Sequence, residues 1–146
     1  MHEAWAHHVR EELRRRGARG GAARDEVIAC LARQDCCLSA QELFDALRGE
    51  GKRVGIASVY RALEQLAEAG LVHRIDLGDG AARFEPALPG GEHHHHLVCD
   101  TCGRVETFDD PALERRLEGV ASAHGYELDR HDVVLHGACA ACASSA

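Results

Sequence analysis

Apolar residues return every three to four positions through the first seventy residues, a period that predicts four helices. Trp5, Val9 and Leu13 mark the first, over residues 4–16, and Gly17, Gly20 and Gly21 break it. The second runs from Arg24 to Gln34 with Val27, Ile28 and Leu31 inward. Ser39 with Glu42 three residues later has the form of a capping box, each side chain accepting the other residue's backbone N–H. It opens a third helix along Ala40, Leu43, Phe44 and Leu47, which Gly49 and Gly51 end. The fourth begins at Ile56, buries Ile56, Val59, Leu63, Leu66 and Ala67, and stops at Gly70. Residues 71–75 and 81–85 then read as strands around Leu77-Gly78-Asp79-Gly80, whose Asp-Gly pair suits a hairpin. Helices followed by a two-stranded wing make a winged helix-turn-helix domain over residues 1–85.

The pattern changes after residue 85. Residues 86–92 contain Ala87-Leu88-Pro89-Gly90-Gly91, a Pro/Gly linker suited to a hinge. Residues 93–98 and 104–108 read as paired strands. Asp110 ahead of Pro111 is a helix start, with proline at the first helical position, where its missing N–H costs nothing. Leu113, Leu117, Val120 and Ala121 carry that helix to Gly125, and residues 126–137 read as a last strand. A unit of this size, residues 93–146, cannot bury both its helix and its sheet edge, and a second copy of the chain would cover them.

Composition narrows the class. At 146 residues the chain suits one or two small domains. No signal peptide opens it, and no apolar run approaches the ~20 residues of a membrane helix, so no membrane partner is expected. Seven cysteines, an odd number, argue for reduced thiols and a cytoplasmic protein over a disulfide scaffold. The net charge of −7 is uneven: residues 1–89 carry 13 basic and 14 acidic side chains, residues 90–146 carry 4 and 10. Arg10, Arg14, Arg15, Arg16, Arg19 and Arg24 face only Glu11 and Glu12 in their stretch, a local field that attracts phosphate. On the fourth helix Ser58 and Arg61 point away from the apolar stripe, and arginine can donate two hydrogen bonds to guanine. Tyr60 adds a phenol for a phosphate or thymine contact.

The strongest chemistry is metal-binding. Cys99-Asp100-Thr101-Cys102 and Cys139-Ala140-Ala141-Cys142 are two CxxC turns separated by 36 residues, and each aims two sulfurs at one point. Two such turns complete a tetrahedral thiolate site for structural zinc. Four consecutive histidines, His93 to His96, precede the first pair. On a strand His94 and His96 share one face and His93 and His95 the other, so one strand serves two sites. Glu114, one turn into the last helix, and His131, inward on the final strand, are further donors. The chain has no HExxH and no phosphate-binding glycine loop, and a closed four-cysteine site leaves no position for a reacting water. No enzyme activity and no small-molecule substrate are expected. Cys30, Cys36 and Cys37 read as packing residues of the first domain.

Together these segments resemble the ferric uptake regulator family of bacterial metal-dependent repressors. Ser58-Val59-Tyr60-Arg61-Ala62-Leu63, Ala69-Gly70-Leu71-Val72, His93 through Gly103, Ala123-His124-Gly125-Tyr126 and the final cysteine pair carry the resemblance, over residues 22–142. It implies an α+β chain: an N-terminal winged helix-turn-helix domain plus a small C-terminal α/β dimerisation domain with a four-cysteine zinc site. Cys99, Cys102, Cys139 and Cys142 match the family's structural zinc ligands. His93, His95, Glu114 and His131 match a site in the dimerisation domain. The regulatory hinge site is implied to take His94, His96 and Glu85, with either Cys37 or His73 as a further ligand. Ser58, Tyr60, Arg61 and Arg19 are the expected DNA contacts. The implied partners are a second copy of the chain and double-stranded palindromic operator DNA.

The unbroken histidine run is similar to the zinc-uptake regulators, because many iron-sensing relatives hold an aspartate at the third position. Zinc(II) is therefore the expected regulatory metal, with iron(II) or nickel(II) as the alternative. The peroxide-sensing branch has an aspartate where Thr107 stands here. A metal storage or chaperone protein would share the ligands but need no helix-turn-helix.

Overall fold

The computed structural model describes residues 2–91 and 93–144. The chain divides into two compact units, residues 1–92 and 93–146. Its architecture is an N-terminal winged helix-turn-helix followed by a small α/β unit with clustered cysteines.

In the first unit, α1 (Glu3–Arg15), α2 (Ala22–Arg33), α3 (Ala40–Gly49) and α4 (Ile56–Glu68) pack their apolar stripes into one core. Trp5, Val9, Ile28, Leu31, Leu43, Leu47, Val59, Leu63 and Leu66 are almost fully buried. Ile56 and Ala67, expected inside, are half-buried at the margin. The capping box forms: Ser39 Oγ accepts from Glu42 N–H at 3.1 Å, and Glu42 Oε2 accepts from Ser39 N–H at 2.7 Å. Trp5 Nε1–H donates to the Leu71 carbonyl at 2.9 Å inside this core, tying α1 to the end of the α4 connection.

The wing is β2 (Val72–Asp76) and β3 (Ala82–Pro86), antiparallel, each displaced one residue from the expected bounds. A third strand, β1 (Leu38–Ser39), pairs antiparallel with β3 and gives the order β1-β3-β2. Leu38 pairs with Phe84, and both pack on the helices.

The second unit holds β4 (His95–Cys99), β5 (Val105–Phe108), α5 (Pro111–Ala123), β6 (Val134–Gly137) and the short α6 (Ala140–Ala143). Its sheet has the order β5-β4-β6, with β4 antiparallel to β5 and parallel to β6. Asp110 Oδ1 accepts from the Ala112 and Leu113 N–H groups and caps α5 ahead of Pro111. Two expectations fail here. The long last strand over 126–137 shrinks to Val134–Gly137, and His131 stands on irregular chain before it. His93 and His94 precede β4 instead of starting it, so strand alternation governs only His95 and His96. Among the described residues of this unit only Cys99, His95 and His96 are buried, and α5 buries none of its side chains. Among the described residues, no helix of either unit is long and apolar enough to cross a membrane.

Leu63 is fully buried among three helices, so Leu63→Ala should lower the unfolding free energy by about 2–5 kcal/mol. Urea denaturation of the two proteins with a common slope checks it; a loss below about 1 kcal/mol would mean that the core is loosely packed.

Candidate metal centres

Backbone geometry builds the cysteine site. Cys99 ends β4, and the chain turns at once: Gly103 N–H donates to the Cys99 carbonyl at 2.8 Å, and Cys99 N–H to the Arg104 carbonyl at 2.9 Å. Gly103 has φ +76°, a conformation that glycine alone adopts without steric cost. The second CxxC is delivered by strand register, because parallel pairing sets Gly137 beside Cys99 and carries Cys139 to the turn. The four Sγ atoms all lie within 4.8 Å of one another, and Cys102 and Cys139 are 3.9 Å apart. Sulfurs bound at ~2.3 Å to a tetrahedral ion lie about 3.8 Å apart, so the donor set fits zinc.

The thiols are unequal. The Cys139 N–H, 3.2 Å from Cys99 Sγ, and the Cys102 N–H favour the thiolate and bring the Cys99 pKa down to about 6. Cys142 hydrogen-bonds to Cys139, Cys102 and Cys99, and this crowding pushes its thiol up to about 12. A cation at the centre replaces those protons and relieves the crowding.

The second cluster joins β4, α5 and the chain before β6. His93, His95, Glu114 and His131 bring one donor atom each within 4.8 Å of the others. His95 Nε2 lies 2.5 Å from Glu114 Oε1, and His131 and His93 Nε2 lie 2.7 and 3.4 Å from Glu114 Oε2. The His93 and His131 Nε2 atoms are 3.1 Å apart. Three imidazoles and one carboxylate suit a borderline divalent ion such as zinc or iron. Val133 N–H lies 3.3 Å from His95 Nδ1, and that contact leaves the His95 proton on Nε2, facing Glu114. A cation at Nε2 takes the place of that proton. Partial burial opposes the charged form of Glu114, but the His95 hydrogen bond and the neighbouring imidazoles outweigh it, and its pKa falls below the ordinary 4.5.

On α4, Tyr60 and Arg61 are exposed, with Arg61 Nη2–H donating to Ser58 Oγ at 3.2 Å. Arg24 donates to Gln65 Oε1 at 3.3 Å and to the Arg19 carbonyl at 2.6 Å. That bracket brings the loop between α1 and α2 to the helix, and Arg19, Arg24, Ser58, Arg61 and Gln65 line one open groove of about 220 Å³.

A sequence model of the ferric uptake regulator family matches residues 15–136. The chain belongs to that family. The ferric uptake regulation protein of Bordetella parapertussis is 38% identical over 132 residues, 90% of this chain and 94% of its own. The ferric uptake regulator of Helicobacter pylori, described with three functional metal binding sites, superposes with a TM-score of 0.80 at 29% identity, covering 98% of this chain and 94% of its own. A zinc uptake regulator complexed with zinc and DNA superposes with a TM-score of 0.64 at 26% identity, covering 99% of this chain and 97% of its own. As a ferric uptake regulator family member the chain is a metal-responsive, DNA-binding transcriptional repressor and not an enzyme.

The remaining expected ligands of this family member fall as follows. In the second unit His94 lies outside both ligand clusters, and His96 is buried in β4 on the face opposite His95. In the first unit His73 pairs with Glu85 across β2 and β3. Continuing the β1 register, Cys37 falls opposite Glu85, so the three share one row and one sheet face. Cys36, read from the sequence as a packing residue, is half-buried and its Sγ is 3.6 Å from that of Cys37. That hydrogen bond and burial push the Cys37 thiol well above its ordinary value. The doublet of adjacent cysteines was the available signal.

A carboxylate whose folded pKa lies below its unfolded one contributes stability above the unfolded value and loses it as pH falls through the folded one. The metal-free protein should thus lose a Glu114 contribution as pH drops from about 4.5 downward. Glu114→Gln should lack that component. Urea unfolding followed by circular dichroism between pH 6 and pH 3 compares the two, and parallel pH profiles would show that Glu114 gains nothing from its histidines.

Proposed function

We propose that the chain represses its target genes by binding palindromic operator DNA as a homodimer when a regulatory metal is bound. The observation that carries this is a helix-turn-helix whose outward face gathers Arg19, Ser58 and Arg61, in a chain whose second unit gathers a four-cysteine cluster and a three-histidine, one-glutamate cluster. Arg61 and Ser58 read base edges, Tyr60 contacts a phosphate or a thymine methyl, and Arg19 holds the backbone. Cys99, Cys102, Cys139 and Cys142 hold a structural zinc ion, and His93, His95, Glu114 and His131 hold a second ion. The work of such a protein lies in the cytoplasm, where the chromosome is.

Exposed Leu97, Val120, Tyr126, Leu128 and Leu135 support the homodimer, since a second copy gives these apolar side chains a partner. Leu97 and Leu135 are neighbours on paired strands and line a 330 Å³ groove at β4 and β6. A two-fold dimer sets two copies of α4 at a fixed spacing, which a palindrome matches.

The regulatory ion takes His94 and His96 from the second unit, Glu85 from the first, and Cys37 or His73 with them. It acts by binding the DNA-competent arrangement more tightly than the others, and only that difference shifts the population. Its identity is iron(II) on the strength of the sequence relatives, which are ferric uptake regulation proteins. Zinc(II), the metal expected from the histidine run, is the second reading. The thiol at Cys37 favours it, because sulfur donors suit zinc better than iron(II).

Footprinting on DNA from the protein's own upstream region, in buffered iron(II) without oxygen, buffered zinc(II) and buffered nickel(II), should show protection only when metal is present. Protection with iron alone assigns iron; protection at free zinc far below micromolar, without comparable help from iron, assigns zinc. Equal binding with and without metal would overturn the repressor mechanism. On the same DNA Arg61→Ala should cost about 1–3 kcal/mol of specific binding and much less of non-specific binding. Equal losses would move Arg61 to a phosphate role.

A further inference from the structure

The turn between α2 and β1 gathers donors that neither ligand cluster of the second unit uses. Cys36 and Cys37 are consecutive, and their Sγ atoms are 3.6 Å apart. Two sulfurs held at ~2.3 Å by one tetrahedral ion stand about 3.8 Å apart, so this pair already has the bite of a chelate. Cys102 and Cys139, inside the four-cysteine site, are 3.9 Å apart. By extension of the cross-strand register Glu85 falls opposite Cys37. Arg83, held by Asp79 at 2.6 Å and Glu42 at 3.6 Å, is the cation on the same strand. Cys36, Cys37, Glu85 and Arg83 all belong to the first unit.

We propose that Cys36 and Cys37 form a vicinal dithiolate site for a thiophilic d10 dication of the cadmium(II) class. On binding, each thiol releases its proton to solvent and each sulfur gives an electron pair to the cation; nothing is oxidised. Two soft donors select against iron(II) and magnesium(II), which prefer nitrogen and oxygen. The proposal shares Cys37 with the regulatory ligand set above and rests on that reading no further. Its test counts thiolates and uses no DNA, so either idea can fail alone.

The experiment is a cadmium(II) titration of the full chain, following the thiolate-to-cadmium charge-transfer band in the ultraviolet. The four-cysteine site is an internal standard of four thiolates, and the histidine cluster adds none. Wild type at saturation should absorb about one and a half times as much as Cys36→Ser/Cys37→Ser, six thiolates against four. Cys36→Ser and Cys37→Ser should each weaken or abolish binding of the added ion. Equal absorbance in wild type and double variant overturns the proposal. So does a wild-type excess of one thiolate that survives Cys36→Ser, because Cys37 then acts alone. Should the variants fail to fold, alkylation of the wild type mapped by peptide mass spectrometry decides the matter. Cadmium must protect Cys36 and Cys37 together, and unchanged labelling of either one refutes the chelate.

Discussion

The second unit folds around its ligands more than around a hydrophobic core. Its three buried side chains among the described residues are two histidines and a cysteine, and all three stand on β4. Apolar burial contributes roughly 25 cal/mol per Å² removed from water, and a unit that removes so little has a weak driving force of its own. Metal coordination at its two ligand clusters would add to it, because the free energy of binding an ion to ligands assembled only in the folded state is folding free energy. The first unit is the opposite case: four amphipathic helices close over Trp5, Ile28, Leu43 and Leu63. The two halves of the chain therefore draw their stability from different physics.

Much of this was legible in the sequence wherever a local signal was strong. Helical periodicity located four helices, the Ser39 and Glu42 pair located a cap, and Asp110 with Pro111 located the start of α5. Strand edges were less legible, because pairing partners set them. β1 is only two residues long and exists because Leu38 and Ser39 meet Phe84 and Arg83. The segment 126–133 contains Glu127, Asp129, Arg130 and Asp132 and has too few apolar positions to sit on a sheet, so β6 begins only where β4 offers partners. His131 still reaches its cluster, carried there by irregular chain instead of strand alternation.

The same distinction applies to ligands. CxxC pairs are local, so Cys99, Cys102, Cys139 and Cys142 could be grouped from spacing alone. A cysteine doublet reads as core packing, and only the structure shows the Cys36 and Cys37 sulfurs 3.6 Å apart. Metal identity lies further from the sequence still. The unbroken histidines pointed to zinc while the sequence relatives are ferric uptake regulation proteins, and nitrogen-rich sites follow an affinity order that does not separate physiological roles. Donor softness is the one local property that bears on that choice, and it resides in the sulfur of Cys37.

The buried Trp5, hydrogen-bonded to Leu71, is the chain's only tryptophan. Its indole emission is therefore an optical label built into the DNA-binding half alone. Excitation at the red edge of the protein spectrum observes the helical core and is blind to the second unit, which holds Tyr126 and Phe108 but no indole. Far-ultraviolet ellipticity sees both. A chelator titration followed by the two signals side by side separates loss of the ligand-built unit from loss of the helix-turn-helix, with no dye and no engineered probe.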